Sequence, residues 1–260
     1  MERALWSSVT GMRAQELSLD TIANNLANVN TGGFKASRIN FQDMLYSVLT
    51  SPGAETSESQ VPSGIQVGHG TRVAEISKDF RQGALKGTGR DLDLAVEGAG
   101  FFEVILPDGT SAYTRDASFH VTATGEVVTV DGYKVAGFDA MDAGTTEITI
   151  APDGTTTAVV NGQSTTKART TLTLFLNPEG LRSIGRNLYK ETPASGQPQS
   201  GVTPGENGSG MLAQRYLESS NVNAAEELVN MIVAQRAYEA SSKAIRASDD
   251  MMEIANTLKR

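Results

Sequence analysis

Glycine and proline are distributed so unevenly along this chain that they dictate its plan. Neither residue occurs from Asn221 to Arg260, and between Arg3 and Val29 only Gly11 interrupts. Residues 31–212 hold most of the glycine, threonine and proline. Both residues break helices and punctuate turns, so the pattern predicts a helix, a long β-rich middle and a second helix. The expected fold class is α+β: N- and C-terminal α-helices pairing as a coiled coil, with a mainly-β middle domain.

The first helix carries a narrow apolar stripe. Leu5, Met12, Leu19 and Leu26 recur every seven residues, Val9 and Ala23 add to the series, and Glu16 breaks it. The stop is expected near Val29, where Asn30-Thr31-Gly32-Gly33 follows. In the last helix, predicted over Ala224–Thr257, Asn223 and Glu226 read as a cap and its capping-box partner. Met231, Tyr238, Ile245 and Met252 repeat every seven residues, interleaved with Ala234, Ser241, Ser248 and Ala255. Large residues alternating with small ones let a partner helix approach closely.

Fixing the backbone costs roughly 1–2 kcal/mol per residue. Two helices that face only each other bury about half of their apolar side chains, which is a poor return. Packing against helices of other copies improves it, so the ends are expected to order on polymerisation.

The middle reads as short strands. Asp91–Val96 alternates polar and apolar residues, Phe101–Leu106 runs into the turn Pro107-Asp-Gly109, and Thr124-Gly125 punctuates Thr122–Thr129. Glu147–Ile150, Thr156–Asn161 and Thr170–Leu176 follow, and residues 193–210 read as a loop. Strands at this spacing predict a β-domain without helices.

Composition excludes most chemistry. There is no cysteine, hence no disulfide, thiol nucleophile or thiolate metal site, and only His69 and His120 offer imidazole. A net charge of −8 leaves no basic field for nucleic acid. No stretch is long and apolar enough to predict membrane insertion. Met1–Val9 lacks an apolar signal core, so any export is expected to proceed without a cleaved signal. Asp91 and Asp93, two apart, are read as the solvated face of a strand rather than as a calcium or glycosidase pair. Gly98-x-Gly100 is too short for a dinucleotide loop. Arg236 and Lys243 lie seven apart, on one helical face, poised for acidic groups of a neighbour.

The segment Ile22-Ala-Asn-Asn-Leu-Ala-Asn-Val-Asn-Thr-Gly-Gly-Phe-Lys35 resembles the N-terminal signature of the flagellar axial proteins, the rod and hook subunits of the bacterial flagellum. Asn24, Asn25 and Asn28 are poor helix formers whose amides fix register with neighbouring helices. Ser220–Ile232, Gln235–Glu239 and Lys243 resemble the matching C-terminal signature. Gly98–Phe102, Tyr113–Arg115 and Val127–Thr129 resemble the family's β-domain. Ala117, Thr122 and Arg215 depart from it, the last two where aspartate and glycine are usual. Length, Tyr46–Pro62 and Leu181–Thr192 are most similar to the distal-rod type of subunit. A proximal rod or hook subunit, or a carbohydrate-binding β-module, is the alternative.

The resemblance implies a non-enzymatic subunit, without cofactor or metal, that forms a helical tube and transmits torque. End helices would line the channel and the β-domain would face outward. Residues 1–33 and 221–260 would form the polymerisation core, 34–72 a connecting segment, 73–192 the β-rich outer domain and 193–220 a return loop. Self-assembly would rest on Leu5, Val9, Met12, Leu19, Ile22, Asn24, Asn25, Leu26 and Asn28. At the other end it would rest on Leu228, Met231, Ala234, Tyr238, Ser241, Ile245, Ser248, Met252 and Ala255. The insertion 46–62, with Tyr46, Pro52, Gly53 and Pro62, would supply rigidity. Implied partners are copies of the chain, proximal rod and hook subunits, the periplasmic and outer-membrane bushing rings and the type III export apparatus.

Overall fold

The computed structural model describes residues 2–50, 55–56, 59–60, 64–142, 144–160 and 162–257. The chain divides into two compact units, one formed by Met1–Ala27, Ser37–Ser77 and Asn223–Arg260, the other by Asn28–Ala36 and Lys78–Val222.

The first unit is built on two long helices, α1 (Glu2–Ala27) and α2 (Ala224–Thr257), packed against each other. At about 1.5 Å per residue α2 is about 50 Å long. Its start follows the expected cap: the Asn223 side chain accepts from the Ala225 N–H at 3.1 Å. The end of α1 comes at Ala27, two residues before Val29, and a turn occupies residues 28–30. Helices at both ends around a mainly β middle are the architecture that glycine and proline placement predicts.

Strand Ser37–Asp43 pairs with Thr71–Lys78, and Tyr46–Thr50 pairs antiparallel with Ile65–Gly68. The turn before Thr71 lies directly on α1. A Cβ on Gly70, which has φ +105°, would fall 2.1 Å from the Thr10 hydroxyl. Only glycine permits that approach. Pro52, Gly53 and Pro62, expected to contribute rigidity, lie outside the described residues.

The second unit is β-rich. A seven-stranded antiparallel sheet runs in the order His120–Val121, Val127–Val128, Lys134–Val135, Phe102–Ile105, Ser111–Thr114, Leu188–Lys190 and Arg182–Gly185. Thr145–Ile150, Thr156–Val160 and Gln163–Thr166 form a separate three-stranded sheet. The core gathers Leu94, Val96, Phe102, Phe119, Val135 and Leu172. Beside it Phe80, Phe101, Tyr113, Phe175 and Tyr189 pack edge to face. Among the described residues its only helical turn is the short 3-10 element Pro178–Gly180.

Three expectations for this unit need correction. Asp93 is not on a solvated strand face: the strand begins at Leu94, and Asp93 is buried with Arg90 3.5 Å away. Asp91 pairs instead with Arg215 at 2.8 Å. Residues 193–210 are not all loop, because Gln199–Val202 pairs with Leu172–Leu174. Thr170–Leu176 contributes only that three-residue strand. Arg215, standing where glycine is usual, has φ +66°, the left-handed conformation that glycine adopts without strain.

One fully buried ion cluster joins the unit's two chain segments. The Glu218 carboxylate accepts from Lys35 Nζ at 2.6 Å and from the Gly83 N–H at 2.8 Å. Arg115 stands 3.5 Å from its other oxygen. Burial lowers the pKa of Lys35, and the neighbouring Glu218 charge opposes that shift. Gly33 donates to the Glu218 carbonyl at 2.8 Å, so backbone and side chain of one residue fix the segment that follows α1.

Candidate functional site

The helical pair is the candidate site, and small side chains decide its geometry. Among the described residues Ala14, Ser18, Thr21, Ile22 and Asn25 are the buried ones of α1, spaced as one helical stripe. On α2 the buried residues are Ala234 and Ser248, with Ser241 half-buried between them. A Cβ added at Gly11 would meet the Ser241 hydroxyl at 3.4 Å, which places these two residues opposite each other.

At the other end of the seam Asn25 Nδ2 donates to Glu227 at 3.0 Å and to the Ser37 carbonyl at 2.9 Å. Its Oδ1 accepts from the Ser37 N–H at 2.8 Å. One buried amide thus ties α1, α2 and a strand together with all its strong hydrogen-bonding groups engaged. Three seam hydroxyls are satisfied within their own helices: Ser241 and Ser248 donate to the carbonyls of Ala237 and Ala244, and Thr21 to that of Leu17.

The leucine series takes a different position. Met12, Leu19 and Leu26 each follow a seam residue, Gly11, Ser18 or Asn25, and consecutive helical residues point about 100° apart. They, with Leu5 and Val9, are half-buried on the flank of α1. Ile22 is buried and Asn24 exposed; Asn28 lies in the turn beyond the helix, where its side chain accepts from the Thr31 hydroxyl.

On α2, Met231, Ile245 and Met252 are half-buried along the seam, while Tyr238 and Ala255 are exposed. The face opposite Ala234 is apolar and open near its start. Leu228 is 49% exposed, Val229 60%, Ile232 53% and Val233 62%. Tyr46, the described member of the insertion set, is exposed with Val48 on one face of its strand, and Leu49 is exposed on the other.

Reading hydrophobic periodicity alone missed the α1 line of Gly11, Ala14 and Ser18, because alanine and serine score weakly beside leucine. Spacing was the available signal: these residues and Asn25 recur at intervals of three, four and seven. Among the described residues no cluster of His, Asp and Glu is arranged to hold a metal, and no helix is long and apolar enough to cross a membrane.

Comparison with known proteins fixes the family. Residues 5–35 match the flagella basal body rod protein model, residues 95–158 the flagellar hook protein FlgE/F/G D1 domain, and residues 213–258 the flagellar basal body rod FlgEFG protein C-terminal model. The flagellar basal-body rod protein FlgG of Borreliella burgdorferi is 47% identical over 100% of both chains. The FlgG of Buchnera aphidicola is 47% identical over 96% of this chain and 97% of its own.

This chain belongs to the FlgG family of flagellar basal-body rod proteins. It is a non-enzymatic structural subunit of the distal rod. More distant FlgG proteins keep the full-length match, as in Bacillus subtilis at 38% identity over 100% of both chains. Membership implies polymerisation within the basal body. The signature residues have distinct places: Asn25 in the helical seam, and Lys35 and Arg115 around Glu218.

Proposed function

We propose that the distal rod is built by the faces of the end helices that the seam leaves unused, and that the resulting tube transmits torque to the hook. The observation carrying this reading is the apolar back of α2, where Leu228, Val229, Ile232 and Val233 stand open to solvent. Four large apolar side chains within two turns of one helix face form a contiguous patch of the kind that marks an interaction surface. The seam itself uses small residues and buries little apolar area, so the pair is marginal in the free chain and gains stability on assembly.

Leu5, Val9, Met12, Leu19 and Leu26 flank the seam and serve neighbouring helices, as do Met231, Tyr238, Ile245, Met252 and Ala255. The proximal rod and hook, which continue the tube, meet its two ends, and the periplasmic and outer-membrane rings surround it. The type III apparatus exports the chain. The exposed ribbon carrying Tyr46, Val48 and Leu49 supplies rigidity by seating on adjacent subunits. Membership of the family, which implies polymerisation within the basal body, supports these assignments to partners.

The test is electron microscopy of basal bodies from cells whose own copy is replaced by this chain. Straight distal rods are expected, and a chain lacking residues 46–62 should give rods that bend. Basal bodies that stop before the distal rod in the presence of the intact chain would overturn the reading.

A further inference from the structure

Charge on the outer helix faces suggests how neighbours pair, an inference resting on the polymerising role above. Ala14 and Ala234 mark the seam sides of α1 and α2. At about 100° per residue, Glu16 and Asp20 lie on the far side of α1 and Arg236 on the far side of α2. Arg13 lies beside the acidic pair, and Glu239 and Lys243 continue the α2 face. All six are exposed, and among the described residues none forms an ion pair.

Axial heights come from the seam. Gly11 faces Ser241, and Asn25 bonds Glu227, so the helices are antiparallel and matched in height. Five residues inward from the first pair, Glu16 stands at the height of Arg236. Two residues inward, Arg13 stands at the height of Glu239. Two complementary charge pairs therefore share one register, with Asp20 a turn away to reinforce the first. Within one chain they cannot meet, because they lie on opposite outer sides of the pair.

We infer that α1 of one copy packs its outer face on the outer face of α2 of the next, antiparallel and near the same height, with Glu16 on Arg236 and Arg13 on Glu239. Such a contact is heterologous: it joins two different surfaces, so it repeats without closing on itself as a two-fold dimer would. The repeat also preserves the orientation of every copy, as a polar shaft requires. Burial of Leu228 and Ile232 beside the charges drives the contact, and the charges select its register.

The absence of native cysteine allows a direct test. Rods are isolated from cells producing the full chain with Glu16→Cys and Arg236→Cys together, then oxidised. A ladder of disulfide-linked dimers, trimers and longer species is expected, absent from either single variant. Rods that assemble without such a ladder would overturn the pairing and leave the rod assignment standing.

Charge exchange supplies the second measurement, independent of whether the cysteine variant assembles. Glu16→Arg and Arg236→Glu should each cut swimming-halo area at least tenfold, and the combination should restore it. Normal swimming by both single variants, or no recovery in the combination, would equally overturn the pairing. Failure of the unaltered chain to support swimming would instead strike at the rod assignment.

Discussion

Asn25 and Glu227 are joined by a 3.0 Å hydrogen bond between the first and last helices, across 202 positions of sequence. The same amide holds both backbone groups of Ser37, so register between helices and the path of the chain beyond α1 depend on one side chain. Asn25→Ala leaves the Ser37 N–H and carbonyl without these partners at a buried site. The expected cost is about 1–3 kcal/mol per subunit. It should appear as a lower temperature for heat dissociation of isolated rods, whereas Asn24→Ala at the adjacent exposed position should shift it less.

Gly11 and Ala234 respond in opposite directions to added volume. Gly11→Ala meets Ser241 at an ordinary contact distance and removes a flexible residue from mid-helix. It should stabilise the pair by about 0.5–1 kcal/mol. Ala234→Leu forces a large side chain into a buried position of the seam and should destabilise by about 1–3 kcal/mol. Amide hydrogen exchange over α1 and α2 reads both effects, slower for the first and faster for the second.

The ion cluster of the β-rich unit behaves as a single element. Glu218→Gln removes the charge that compensates Lys35 and Arg115 while both remain buried. Breaking a buried pair in this way typically costs about 3–5 kcal/mol. Thermal unfolding of the purified chain, followed in the β-sheet signal, should show a correspondingly lower midpoint.

Asp116 gives the fold a pH dependence of known sign. Burial raises its pKa above 3.8, and nearby Asp93 and Asp131 add to the effect. Between 3.8 and the raised value the folded chain holds more protons than the unfolded one, so this group's contribution to stability falls as pH rises through that window. Asp116→Asn removes the dependence. Its stability relative to the parent should be most favourable above the window, and that difference should level off below pH 3.8, as read by denaturant melts across pH.

Helix boundaries were legible because proline is absent from both ends, glycine occurs there only as Gly11, and Asn223 supplies a cap. The small-residue line of α2 was also legible, as the sevenfold series Ala234, Ser241 and Ser248. The α1 side of the seam was not, since its leucines draw attention to a flank while Gly11, Ala14 and Ser18 do the packing. Contacts distant in sequence left no local trace: Lys35 and Glu218 are 183 positions apart, and neither residue alone signals a buried ion pair. Asp93 misled because alternation around it looked like a half-exposed strand, whereas the turn ends at Leu92 and Asp93 is buried in a bridge to Ser118.

The central claim is that a seam of small side chains holds the helix pair and the outer faces hold the rod. Maleimide labelling of Ile232→Cys, in a chain with no other cysteine, tests it most directly. The thiol should react fully in the free subunit and become protected in assembled rods. Equal reactivity in both states would mean that the apolar back of α2 stays open to solvent in the rod, and would contradict the account.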